Sequence, residues 1–113
     1  MSLYSRGDVV IMPFPYSGAP GEKSRPALVL AAVPYADRTD YVVCIISTQN
    51  APDPSIISLD RTDVTAGVLR KQSYLRPSYL FTTGENRISR KVGDMKNEPV
   101  EAALKTLTAL FQT

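Results

Sequence analysis

The sequence predicts a mainly β domain finished by one C-terminal α-helix, and three observations carry that prediction. Short runs rich in Val, Ile and aromatic residues recur at close spacing, Gly and Pro cluster between them, and helical periodicity emerges only near the C-terminus. With 113 residues the chain has room for one core, so a single domain, a small barrel or sandwich, is expected over its whole length.

The first run, Asp8–Pro15, pairs Val9, Val10, Ile11 and Phe14 with Pro13 and Pro15. Proline cannot donate to an interior ladder, so this reads as an edge strand. Residues 17–24 are small, charged and turn-prone and read as a loop. Residues 25–33 are almost continuously apolar, as in a strand buried on both faces. After a polar turn over 35–40, residues 41–47 form a second such strand around Val42, Val43, Ile45 and Ile46. A short strand follows at 55–59, then a longer stretch at 67–83 with Tyr, Leu and Phe on alternating sites. Asn97 is placed to cap a helix that carries Pro99 in its first turn. Val100, Leu104, Leu107 and Phe111 then recur at helical spacing with Ala103 beside them, and Glu101 and Lys105 pair on the opposite side.

Composition excludes much enzyme chemistry. The chain has no His, so imidazole acid–base catalysis and Ser-His or Cys-His pairs are ruled out. Its single Cys, Cys44, cannot form an internal disulfide or a multi-thiolate zinc site, and its apolar neighbours mark a buried structural thiol. No apolar run approaches the ~20 residues of a membrane span, and the first residues lack the apolar core of a signal peptide, so a reduced, cytoplasmic setting is expected.

Charge is unevenly spread. Residues 61–91 carry seven Lys or Arg against two Asp or Glu, whereas residues 1–60 carry four against six. With Tyr74, Tyr79 and Phe81 interleaved, the basic stretch suits a nucleic acid, although a solvated face over core aromatics reads equally well. Arg25, just before Pro26 at the expected entry to a buried strand, places a forked donor set at a stiff junction. Ser47, Thr48, Gln49 and Asn50 end the other buried strand in four small polar residues able to bond phosphate or base edges. Taken alone, Arg25 also suits a surface salt bridge and the polar quartet an ordinary turn.

These residues carry a resemblance. The frame Gly7-Asp8-Val9-Val10, then Lys23-Ser24-Arg25-Pro26-Ala27-Leu28-Val29-Leu30, then Ile45-Ile46-Ser47-Thr48-Gln49, resembles the MazF/PemK family of toxin–antitoxin growth inhibitors. Ala66-Gly67-Val68-Leu69, Ser73, Leu80-Phe81-Thr82 and Arg90-Lys91-Val92-Gly93 follow in the same order. The likeness is to a PemK-like branch, since Lys23 stands where better-known members have Gly, and Arg76, Tyr79 and Phe81 replace other polar residues downstream.

What the resemblance implies is a small SH3-like β-barrel of the MazF/CcdB type with a C-terminal helix, forming a homodimer. It also implies a metal-independent, cofactor-free, sequence-selective endoribonuclease acting on single-stranded RNA, partnered by a cognate antitoxin protein. The family's active Arg and Thr fall on Arg25 and Thr48. RNA supplies its own nucleophile, the 2′-hydroxyl, so the enzyme has only to align it and stabilise the pentavalent dianion. Arg25 would bind the non-bridging oxygens and Thr48 would position the phosphate, leaving 2′,3′-cyclic phosphate and 5′-hydroxyl ends. An arginine accepts protons poorly, and Glu22 is the candidate base. Lys23, Ser47, Gln49, Arg70, Lys71, Arg76 and Arg87 are the candidate RNA contacts. The alternative is a toxin of the same fold that binds and poisons DNA gyrase without catalysis, through C-terminal aromatic or charged residues. Placing Phe111 in the core stripe of the helix argues against it.

Overall fold

Local chemistry sets where each strand stops, and long-range pairing sets where it sits. The computed structural model describes residues 3–15 and 22–113, apart from the side chains of Pro15 and Glu22. Six strands form: β1 (Asp8–Pro15), β2 (Glu22–Pro34), β3 (Thr39–Ser47), β4 (Ile57–Leu59), β5 (Ser73–Gly84) and β6 (Arg90–Asp94). They are followed by helix α1 (Asn97–Phe111). The strands make one sheet in the order β4-β5-β3-β2-β1-β6, with every neighbouring pair antiparallel.

The central strands are buried on both faces, and their two-residue period sorts the side chains. Val9, Leu28, Leu30, Cys44, Ile46 and Leu75 share one core with Val100, Ala103 and Leu107 of α1, which lies against β4 and β5. Val10, Met12, Phe14, Ala27, Val29, Tyr41, Val43 and Ile45 make the second core on the opposite face. Cys44 is fully buried, and burial pushes its thiol up to about 12 from its ordinary 9.0, as expected of a structural cysteine. The sheet curls so that Val64, beyond β4, bridges Met95, beyond β6. No ladder joins β4 to β6 among the described residues, so the sheet is a half-barrel with one helix.

Several expectations are corrected. β1 is not an edge strand, because it lies between β2 and β6. β6 pairs only with Asp8 to Ile11 and stops short of Pro13, so the prolines meet a neighbour on one side alone. β6 itself, a short run with two bases and a glycine, carried no strand signal. Of the loop expected at 17–24, Glu22, Lys23 and Ser24 instead pair with β1, and residues 17–21 lie outside the described ones. Asn97 does not cap the helix: Lys96 occupies that position without a side-chain bond. Phe111 is 73% exposed rather than part of the core stripe, because burial of α1 ends at Leu107 and every residue after it is exposed.

Candidate functional site

Two interruptions of the β3 ladders open a recess at one end of the sheet. Toward β2, pairing ends at Ala27↔Ile45, although β2 continues to Glu22 against β1. Arg25 therefore sits three residues inside β2, opposite Met12, rather than at the strand entry. Alternation puts it on the face of Ala27 and Val29, just beyond the last β2–β3 pair. Toward β5, Cys44 pairs with Leu80 but Ile45 pairs with Arg76, so Pro77, Ser78 and Tyr79 bulge out of the ladder. Pro77 lacks a donor for that ladder, and its ring is fully buried beneath the bulge.

β3 stops at Ser47, whose Oγ accepts a hydrogen bond from the backbone N–H of Gln49 at 3.0 Å. This serine turn leaves Thr48 and Gln49 exposed beside the broken ladders. Arg25, Ile45, Ser47, Thr48, Gln49, Arg76 and Tyr79 line a recess of about 80 Å³. At roughly 30 Å³ per water that is room for two or three waters, the scale of one oxyanion group. Among the described residues both charged lining residues are arginines, and the remaining polar ones offer hydroxyls and an amide.

Arg76 is held from outside the recess. Its Nη2 lies 3.3 Å from Asp53 Oδ2, with the two side chains only 17% and 13% exposed. Asp53 Oδ1 accepts from Ser55 N and Ser55 Oγ, at 2.9 and 2.7 Å, and Ser78 Oγ donates to Oδ2 at 2.6 Å. These bonds, Ser55's hydroxyl first and Ser78's next, hold the Asp53 carboxyl well below the usual carboxylate range, with a smaller contribution from Arg76. Arg76 Cζ also lies 4.0 Å from the centroid of the Tyr79 ring.

Of the expected site residues, the structure brings together Arg25, Thr48, Ser47, Gln49 and Arg76. Lys23 is exposed on β2 and Lys71 is exposed before β5, neither lining the recess. Arg87 lies in a turn of 3-10 helix after β5. Arg70 borders a different groove of about 700 Å³, with Arg61, Thr62, Val64, Ala66, Gly67 and Leu69. That groove is larger, but its lining is mostly apolar and does not gather the hydroxyls and amides that the recess does. Glu22 opens β2 opposite Pro15, and its side chain lies outside the described residues. Sequence reading missed Asp53 and Ser78 as members of the site, and named Tyr79 only as one of three aromatics in the basic stretch. Asp53-Pro54-Ser55 carries an Asx-turn signature that marks the first of them; the bulge that recruits the other two has no local signature beyond Pro77.

Among solved structures the fold has clear likenesses. A MazE–MazF complex from Deinococcus radiodurans superposes at a TM-score of 0.72 with 17% identity, covering 99% of each chain. A mycobacterial endoribonuclease in complex with its cognate antitoxin gives 0.68 at 15% identity, over 96% of this chain and 95% of that one. A second mycobacterial endoribonuclease gives 0.67 at 15%, over 99% and 94%. At these identities the likeness is one of fold. Curated protein sequences yield no match. A family profile described as "PemK-like, MazF-like toxin of type II toxin-antitoxin system" matches residues 5–111. That span takes in all six strands and the whole of α1, and the chain belongs to this toxin family.

Proposed function

We propose that this chain is a metal-independent, sequence-selective endoribonuclease that cuts single-stranded RNA. The observation that carries the reading is the convergence of Arg25 with Ser47, Thr48 and Gln49 on one recess of oxyanion size. In this reading the scissile phosphate enters the recess and the Arg25 guanidinium donates to its non-bridging oxygens. Charge on those oxygens rises in the pentavalent state, so a fixed donor pair stabilises it more than the ground state. The Thr48 hydroxyl orients the phosphate so that the neighbouring 2′-hydroxyl attacks in line. The P–O5′ bond breaks and the departing oxygen takes a proton from water, leaving a 2′,3′-cyclic phosphate on one fragment and a 5′-hydroxyl on the other. Glu22 is the proposed proton acceptor, and Glu22→Gln should slow the reaction at neutral pH.

The same reading closes the half-barrel into the SH3-like form, pairs two copies in a homodimer and gives the toxin a cognate antitoxin that covers the recess. The likeness in fold to an endoribonuclease solved in complex with its cognate antitoxin supports the existence of such a partner. Incubating the purified protein with long single-stranded RNA in EDTA tests the activity. Discrete fragments with cyclic-phosphate ends are expected, and RNA left intact across varied sequences refutes the reading. Arg25→Ala should reduce cutting by at least ~10²-fold with circular dichroism unchanged. One observation favours the second reading, a gyrase-binding toxin without catalysis: the exposed ring of Phe111 with Leu110 beside it at the end of α1. Loss of gyrase inhibition in Phe111→Ala, with no RNA cleavage by the parent protein, would establish it.

A further inference from the structure

Tyr79 stands at the rim of the recess, 47% exposed, with a guanidinium against its ring. The β5 bulge projects it there, and buried Pro77 stiffens the projection. Behind it, Arg76 is ion-paired to Asp53, which Ser55 and Ser78 hold in turn. A guanidinium whose charge is already met by a carboxylate is a weak anchor for phosphate. It remains a flat surface that fits an aromatic ring and keeps it from turning. The Asp53–Arg76–Tyr79 stack thus presents a pre-set aromatic ring beside a recess of oxyanion size.

We infer that Tyr79 is a stacking platform for one unpaired nucleobase next to the phosphate in the recess, and that Asp53 is the positioning residue that fixes it through Arg76. The inference rests on the reading that the recess takes single-stranded RNA, and it adds how the strand is gripped. Stacking tolerates any base, since every base has a π-face, and it requires the base to be splayed out of a helix. The platform therefore selects single strands over duplexes without reading sequence, and it adds affinity that salt does not screen.

The test is binding of a short mixed-sequence 2′-O-methyl RNA, which has no free 2′-hydroxyl to react, followed by fluorescence anisotropy across a salt series. Tyr79→Ala should weaken binding about 5- to 100-fold, and Tyr79→Trp should restore it. The slope of log affinity against log salt should stay unchanged in Tyr79→Ala, because the tyrosine ring neutralises no phosphate. At high salt, where the charge that Asp53→Asn frees on Arg76 is screened, that substitution should weaken binding in the parent protein but add nothing in the Tyr79→Ala background, a coupling that general destabilisation would not produce. Parental affinity in Tyr79→Ala, a shallower salt slope there, additive effects of the two substitutions, or failure of the parent protein to bind would each overturn the inference. A parent protein that binds the analogue as described but leaves unmodified RNA intact would uphold the platform and refute the ribonuclease reading.

Discussion

Asp53 illustrates how one side chain outside the recess governs what happens within it. Its carboxylate gathers Ser55, Ser78 and Arg76 and so ties the β3–β4 connection to the β5 bulge. Because its folded-state pKa is depressed, its contribution to stability is fully present above the ordinary carboxylate value of about 4 and is lost as pH falls below it. Urea unfolding should therefore show the Asp53 contribution held from neutral pH down to about pH 5 and falling from there toward pH 3 and below, with a shallower fall in Asp53→Asn. An unchanged acid limb in that variant would mean that other carboxylates carry the effect. Arg25 and Thr48 are legible from sequence because each sits beside a recognisable break, Pro26 in one case and a polar run in the other. Tyr79 offers no such mark, since an aromatic on an alternating stretch points equally well to the core, where Phe81 does pack edge-on to Phe14 at 4.8 Å.

Helix α1 shows what periodicity predicts and where it fails. The stripe of Val100, Ala103 and Leu107 is buried as its spacing requires, and Leu104 packs against the same core. The spacing continues to Phe111, but burial stops at Leu107. Leu107→Ala should lower unfolding free energy by about 2–5 kcal/mol through the cavity it leaves. Phe111→Ala should change it by no more than about 0.5 kcal/mol, since its ring is already in water. Equal losses in chemical denaturation would show that the helix end is covered in solution. The same limit applies to β1 and β6. Pro13 and Pro15 describe accurately which part of β1 can be paired on one side only, yet they cannot tell that a five-residue strand covers the other part.

Across the molecule, the basic stretch read from the sequence does not collect in one place. Arg76 joins Arg25 at the recess, Arg70 and Arg61 flank the larger groove, and Lys91 is engaged by Asp8 and Asp94 at 3.1 and 2.9 Å. Two of the bases that suggested nucleic acid, Arg76 and Lys91, are thus ion-paired within the protein. Affinity for the unreactive RNA analogue should still fall linearly with log salt, and Arg25→Ala should reduce that slope by about 0.7, the share of a single neutralised phosphate on a single strand. An identical slope in the variant would remove Arg25 from the phosphate.

The sequence alone determined the type of every element except β6, the limits of β1 and the C-terminal ends of β3 and β4, and it singled out Arg25 and Thr48 as candidates, because strand and helix periods are local properties of side-chain order. It also carried the family likeness, spread in order along the chain. The tertiary structure alone decided that β1 is interior, that Phe111 faces water, and that Arg76 leans on Asp53 with Tyr79 across it. Those outcomes depend on which strands become neighbours and on a register break between Ile45 and Cys44. Register is set by the packing of distant residues, so no local pattern encodes it.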